Sequence, residues 1–267
     1  MMLRIHRSFY LSLILLLVAV AAVPAGSRAE QPLKVTILYD NTAYLKTCTA
    51  DWGFACLIEG TEKTVLFDTG TKGDVLLRNV DSLKTDLAQA GVVAISHTHD
   101  DHTGGLRAAL PRMPGIQVYL PFSSPESLTR SVRQAGAIPV QRKEPVTLCK
   151  NVFLTGEMGD QVKEQALVIR TPQGLVVLTG CSHPGIVTII EKAREVGKEN
   201  VYAVVGGFHL LQQPEAAVEK IIAQFKQLGV RKVGAAHCTG IPQIEQFRKA
   251  YGADFLETGA GRVIRFE

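Results

Sequence analysis

The chain has no run of lysine and arginine, no internal repeat and no low-complexity tract. Its 29 Lys and Arg stand against 25 Asp and Glu, a formal charge of +4 spread along the sequence, so charge gives no case for a nucleic-acid partner. No G-x-S-x-G element and no Walker-type loop occurs, which removes the serine nucleophile elbow and the P-loop phosphate cradle as catalytic devices. Cysteine is scarce and odd in number, with five residues, so at least one thiol is left unpaired. Cys48 and Cys56 are near enough in sequence to be the first candidates for a bridge. Cys181 and Cys238 each sit beside a histidine, in "GCSHPG" and "AHCTG", and a bridge between these two is the alternative in an oxidising compartment.

What is present is an ordinary globular balance: 267 residues, 46% hydrophobic and 20% charged, enough apolar material for a sizeable core. The start has a different character. "MMLRIHR" is basic, "SFYLSLILLLVAVAAV" is apolar and "PAGSRAE" is rich in small residues, the order of an export signal. We expect a signal peptide over 1–29 and a folded domain over 30–267, with cleavage after Ala29 or Ala25; an uncleaved anchor is the competing possibility. Export places the protein in the periplasm or outside the cell, without stable membrane insertion once the signal is removed.

Beyond the leader the pattern alternates. Short runs rich in Val, Ile and Leu at 34–40, 53–60, 63–70, 91–97, 117–121, 166–171, 175–180, 201–207 and 232–237 read as strands. Helical patterns fall at 81–90, 184–196, 214–228 and 241–251. Hairpins are expected around "IEGTEKTVLF" and "IRTPQGLVV". The fold class is therefore α/β, with mixed sheets covered by helices. The stretch 121–145, with four prolines, interrupts the regularity and is expected to be a lid, an insertion or a plain surface connection.

One stretch concentrates the chemistry. "AISHTHDDHTGGL" follows an apolar run and sets His97, His99, Asp101 and His102 in the pattern H-x-H-x-D-H. Groups that resist burial and repel one another when charged need a positive partner, and neutral imidazoles with carboxylate suit Zn, with Mn or Fe as alternatives. His183, His209 and His237 each fall at or just past a predicted strand end, where an open α/β sheet gathers its ligands. We take His183 and His237 as ligands and hold His209 as a ligand or a pocket residue. Asp68, in "LFDTG", either braces the ligand turn or caps a turn, and Asn41 is a weaker candidate for the rim.

With "LFDTG" before it and "GCSHPGI", "GGFHL" and "HCTG" after it, the H-x-H-x-D-H element resembles the metallo-β-lactamase superfamily. The resemblance is to the branch of metal-dependent hydrolases related to 7,8-dihydropterin-6-methyl-4-(β-D-ribofuranosyl)aminobenzene 5′-phosphate synthase. It implies an αββα sandwich of two mixed sheets flanked by helices, with one or two metal ions on the rim between them. The chain also departs from the superfamily pattern. Cys181 follows Thr179-Gly180 where an aspartate would bridge the metals, and no Asp lies between Cys181 and His237. Either Cys181 bridges as a thiolate, with Asp160 or Glu164 replacing a third histidine, or His183 is that histidine and the bridge is missing.

The expected activity is hydrolysis of an ester, amide or phosphoester of a small molecule by a metal-activated water, with Asp101 binding metal or orienting the water. The alternatives are the synthase-type reaction of the branch and a metal-binding protein without turnover.

Overall fold

Each sheet joins an antiparallel part to a parallel part. The computed structural model describes residues 32–267; the leader expected over 1–29 lies outside the described residues. β1 (Leu33–Tyr39), β2 (Ala55–Glu59) and β3 (Thr64–Phe67) form an antiparallel meander that includes the first expected hairpin. Helix α1 (Gly73–Ser82) then crosses to β4 (Ala90–Ala94), parallel to β3. Two single-turn helices, α2 (Asp100–Thr103) and α3 (Leu106–Ala109), precede β5 (Gln117–Pro121), and α4 (Glu126–Gln134) precedes β6 (Ile138–Arg142). The second sheet opens with β7 (Val146–Cys149), β8 (Val152–Leu154), β9 (Leu167–Thr171) and β10 (Gly174–Thr179), all antiparallel. It continues through α5 (Ile186–Gly197), β11 (Val201–Gly207), α6 (Glu215–Gln227), β12 (Lys232–Ala236) and α7 (Ile241–Tyr251), with β10, β11 and β12 parallel. β13 (Val263–Phe266) returns to pair with β1. The sheet orders are β13-β1-β2-β3-β4-β5-β6 and β12-β11-β10-β9-β8-β7, with β3, β4, β5 and β6 parallel in the first.

Strand alternation explains why these sheets stack. In β10, Val176 and Leu178 join an inner core with Val35, Ile58, Phe67, Ile169 and Val205 from both sheets, while Leu175 and Val177 face the other way. That outer face is covered by Ile189 and Ile190 of α5, Phe225 of α6 and Phe247 of α7. On the first sheet, Leu57, Leu66 and Val93 pack under Leu76 and Val80 of α1 and Leu106 of α3. The result is an αββα sandwich. Each fully buried aliphatic or Phe side chain contributes on the order of 1.5–3 kcal/mol against the entropy of ordering it.

Several expectations need correction. The helix expected over 81–90 is displaced: α1 occupies 73–82, because Val75, Leu76 and Val80 supply its buried face, and Lys84, at φ 52°, takes the chain out of helix. Only a single 3-10 turn, Leu87–Gln89, forms beyond it. The stretch 121–145 is neither a lid nor a bare connection, since it folds into α4 and β6 and completes the first sheet. Pro139 is tolerated in β6 because that strand is an edge. All five cysteines are free. Cys56 points into the inner core and Cys48 packs beside Gly261, so these two do not meet as a bridge.

Candidate metal centre

The strands carry their polar residues to one rim. Asp40 and Asn41 follow β1, Asp68 follows β3, Ser96 to His102 follow β4, Cys181 to His183 follow β10, His209 follows β11 and His237 follows β12. The rim residues are held in costly conformations. Of seven non-glycine residues with positive φ among the described residues, four are here: Asp68 (57°), Ser182 (67°), His209 (55°) and His237 (47°). Gly180 is required by close approach, since a Cβ there would lie 2.1 Å from Ser96 Oγ and 3.1 Å from Asp68 Oδ2.

Four imidazoles have Nδ1 occupied by an outer partner, which turns Nε2 inward. Asp68 is fully buried; its Oδ1 accepts from Ser96 N at 2.7 Å and its Oδ2 from Ser96 Oγ at 2.7 Å and His102 Nδ1 at 2.7 Å. Because the Ser96 hydroxyl proton goes to Asp68, Ser96 Oγ accepts from His97 Nδ1 at 2.9 Å. Glu164 Oε2 accepts from His183 Nδ1 at 2.8 Å, and Asn41 Oδ1 accepts from His237 Nδ1 at 2.9 Å. Such partners fix tautomer and ring direction at metal sites. The inward atoms then crowd together: His97 Nε2 lies 3.1 Å from His99 Nδ1, and His102 Nε2 lies 3.2 Å from Cys181 Sγ.

Asp101 closes the cluster from the exposed side. Its Oδ2 is 3.2 Å from His237 Nε2 and 3.7 Å from His102 Nε2, and it accepts from the Trp52 indole N–H at 2.8 Å. Burial raises this carboxyl, but His237, His102 and Trp52 together outweigh it and hold it well below the ordinary carboxylate range. Burial lowers His97 and His102 to about 3, so both are neutral lone-pair donors at physiological pH. Burial also drives Asp68 up to about 7, against the opposing pull of His97 and Ser96.

These residues fit a divalent ion. Ligand atoms within 4.8 Å of one another form four overlapping groups: His97, His99 and Asp101; His97, Cys181 and His183; Asp101, His102, Cys181 and His237; and Cys181, His209 and Cys238. With Nδ1 donating to Asn41, the buried His237 Nε2 turns a lone pair toward Asp101 Oδ2 at 3.2 Å and completes no hydrogen bond, a cost that an ion between them would remove. The 3.1 Å between His97 and His99 nitrogens is close to the tetrahedral edge of about 3.3 Å set by Zn–N bonds of about 2.0–2.1 Å.

His97, His99, Asp101, His102, Cys181, His183, His209 and His237 are therefore brought together on this rim, with Asp68 behind it. Asp160 is exposed and joins no group of ligand atoms. Glu164 does not replace a histidine. Its carboxylate is fully buried and bound by Cys181 N, Ser182 N, His183 N and His183 Nδ1, at 2.9, 2.8, 2.9 and 2.8 Å. Ser96 and Trp52 carried no signal in the sequence. Ser96 sits inside "ISHTHDDH" and Trp52 is separated from Asp101 by 49 residues.

The fold is that of the metallo-β-lactamase superfamily, to which the chain belongs. The superfamily's model matches residues 52–148. The chain is similar to Tm1679, a metal-dependent hydrolase of the β-lactamase superfamily, whose crystal structure superposes with a TM-score of 0.73 at 30% identity, covering 88% of this chain and 99% of the other. It is also similar to the 7,8-dihydropterin-6-methyl-4-(β-D-ribofuranosyl)-aminobenzene-5′-phosphate synthase of Methanocaldococcus jannaschii, at 29% identity over 86% of this chain and 95% of the relative. The metallo-β-lactamase fold protein YhfI from Bacillus subtilis shares the fold, with a TM-score of 0.67 at 14% identity, over 88% of this chain and all of the other.

Proposed function

We infer that the protein is a metal-dependent hydrolase of a small-molecule ester, amide or phosphoester, exported and active as the domain 30–267. The observation that carries this reading is the convergence of imidazole nitrogens, the Asp101 carboxylate and the Cys181 thiol on one rim. His97, His99 and His183 would hold one ion, and Asp101, His102 and His237 a second. Cys181, common to three of the four groups, would stand between them as a thiolate, which favours Zn over Mn. Asp68, Glu164, Asn41 and Ser96 keep the imidazoles aimed.

A divalent ion bound there supplies a Lewis acid that acidifies water and polarises a carbonyl or phosphoryl oxygen. The chain's own groups do the rest. The ionised Asp101 carboxylate, at the open side of the cluster, orients the attacking water and accepts its hydrogen bond. His209 is exposed, with its ring 4.5 Å from that of His183, and its hydrogen bond to Cys238 raises its proton affinity. It is therefore suited to protonate the leaving alcohol or amine. One water is consumed: its oxygen joins the acyl carbon or phosphorus and its protons are shared between the two products.

The similarity to the archaeal synthase along 95% of that relative's length favours a second reading, a synthase-type reaction on the same centre. A panel of aryl esters, amides and phosphodiesters, assayed with native, chelator-stripped and Zn-, Mn- or Fe-restored protein, separates the two. Metal-dependent turnover with water as the sole co-substrate supports hydrolysis. Turnover only when an aryl ribofuranoside phosphate and a pterin are both supplied supports the synthase.

A further inference from the structure

Trp52 is the only tryptophan in the chain, and its two halves face different tasks. The indole N–H is spent on Asp101 Oδ2 at 2.8 Å, on the same oxygen that faces His237 and His102. The ring lies 4.9 Å from the His237 ring, tilted by 58°, and the residue remains 46% exposed. Large apolar side chains exposed to this degree mark contact surfaces when they gather at one place, and two others adjoin the His237–Gly240 turn, one from the loop after β11 and one at the start of α7. Leu211, 50% exposed, donates its N–H to Cys238 O at 3.2 Å; a Cβ on Gly240 would come within 2.9 Å of its Cδ1. Ile241, 73% exposed, follows Gly240.

We propose that Trp52 forms, with Leu211 and Ile241, a binding subsite for a planar aryl or heteroaryl group of the substrate, and that its indole N–H positions Asp101 for metal. The proposal rests on the metal centre inferred above and adds the substrate class. With its only donor used, the indole can offer a ligand its π face and edges, which recognise flat rings by offset or edge-to-face contact. Leu211 and Ile241 bring neither a carboxylate to balance a cation nor a donor for a sugar hydroxyl. On the other edge, a carboxylate oxygen shared between an indole N–H and the ligand cluster has lost the freedom to rotate away, which is how outer partners tune metal affinity.

Zn-loaded protein is titrated with phenylphosphonate and methylphosphonate, following both the emission of the single tryptophan and the binding heat. Zn affinity is measured separately by chelator competition, for the parent and for Trp52→Phe and Trp52→Leu. The parent should bind phenylphosphonate about tenfold more tightly than methylphosphonate, with a change in Trp52 emission seen only for the aryl probe. Trp52→Phe keeps a ring but loses the N–H, so the aryl preference should persist within about twofold while Zn affinity falls by about 10–100-fold. Trp52→Leu should lose both. Equal affinity for the two phosphonates, or an aryl preference that survives in Trp52→Leu, overturns the subsite; unchanged Zn affinity in Trp52→Phe overturns the positioning role. A parent that binds no Zn overturns the metal centre itself, and this inference with it.

Discussion

Replacing Glu164 by glutamine should destabilise the metal-free protein by about 2–4 kcal/mol, because one carboxylate holds the whole Cys181–His183 turn. Oε1 accepts from Cys181 N and Ser182 N, and Oε2 from His183 N and His183 Nδ1. An amide keeps one acceptor oxygen and turns its NH2 against the other two donors. Two charge-assisted hydrogen bonds at about 1.5–3 kcal/mol each are lost, partly offset because a neutral amide is cheaper to bury than a carboxylate. A second route gives a similar size. Burial pushes Glu164 upward, but the His183 hydrogen bond, the neighbouring His97 imidazole and the Ser182 and His183 N–H groups outweigh it, taking the group from 4.5 to about 2. That lowering corresponds to about 3 kcal/mol.

A depressed carboxylate stabilises fully above its unfolded value and loses that stabilisation as pH falls through its folded value, so the window runs from 4.5 down to about 2. Thermal unfolding with chelator present should put Glu164→Gln about 5–15 °C below the parent at pH 7. The gap should narrow steadily between pH 5 and pH 2. Zn affinity should drop by about 10–100-fold as His183 loses its fixed tautomer. A melting point within about 2 °C of the parent at pH 7, or a gap that does not change with pH, would refute the reasoning.

Further outcomes follow from the same geometry. His97→Ala and Asp101→Ala should each deplete bound metal or abolish turnover while leaving far-UV circular dichroism intact, since the cores lie behind the rim; metal analysis of both variants checks it. Gly180→Ala drives a methyl into Ser96 Oγ and toward Asp68 Oδ2, so it should cost about 1–3 kcal/mol in denaturant unfolding and weaken metal binding as well. Thiol titration of the purified protein should find Cys181 and Cys238 reduced, and Cys181→Ser should lower metal content; an unchanged content would remove Cys181 from the ligand set. N-terminal sequencing should place the start of the exported protein near Gly26 or Glu30, and an intact Met1 in the cytosol would reject export.

The sandwich was legible because its strands are apolar on both faces, so that runs such as "LVVLTG" and "VYAVVGG" stand out by composition alone. The short strands β6, β7, β8 and β13, of three to five residues each, carry too few positions to show a period and owe their strand conformation to the neighbour they pair with. The α1 helix was misplaced because "LLRNVDSLKTDLAQA" continues an apolar spacing past Ser82 that tertiary packing does not use. At the site, residue type and strand-end position were enough to name the residues that the fold gathers on one rim. The outer partners were less visible, as Glu164 lies 19 residues from the histidine it holds, Asn41 lies 196 residues from His237 and Trp52 lies 49 from Asp101. Such pairs exist only once β1, β4, β10 and β12 are brought to a common rim.

Anomalous diffraction from crystals of the Zn-loaded domain, recorded at the Zn edge, tests most directly whether this rim is the metal centre. The expected map has density within about 2.0–2.3 Å of the inward nitrogens of His97, His99 and His183. A second peak should lie at like distance from Asp101, His102 and His237, with Cys181 Sγ touching both. Anomalous density absent from the rim, or found only at surface carboxylates elsewhere, would contradict it.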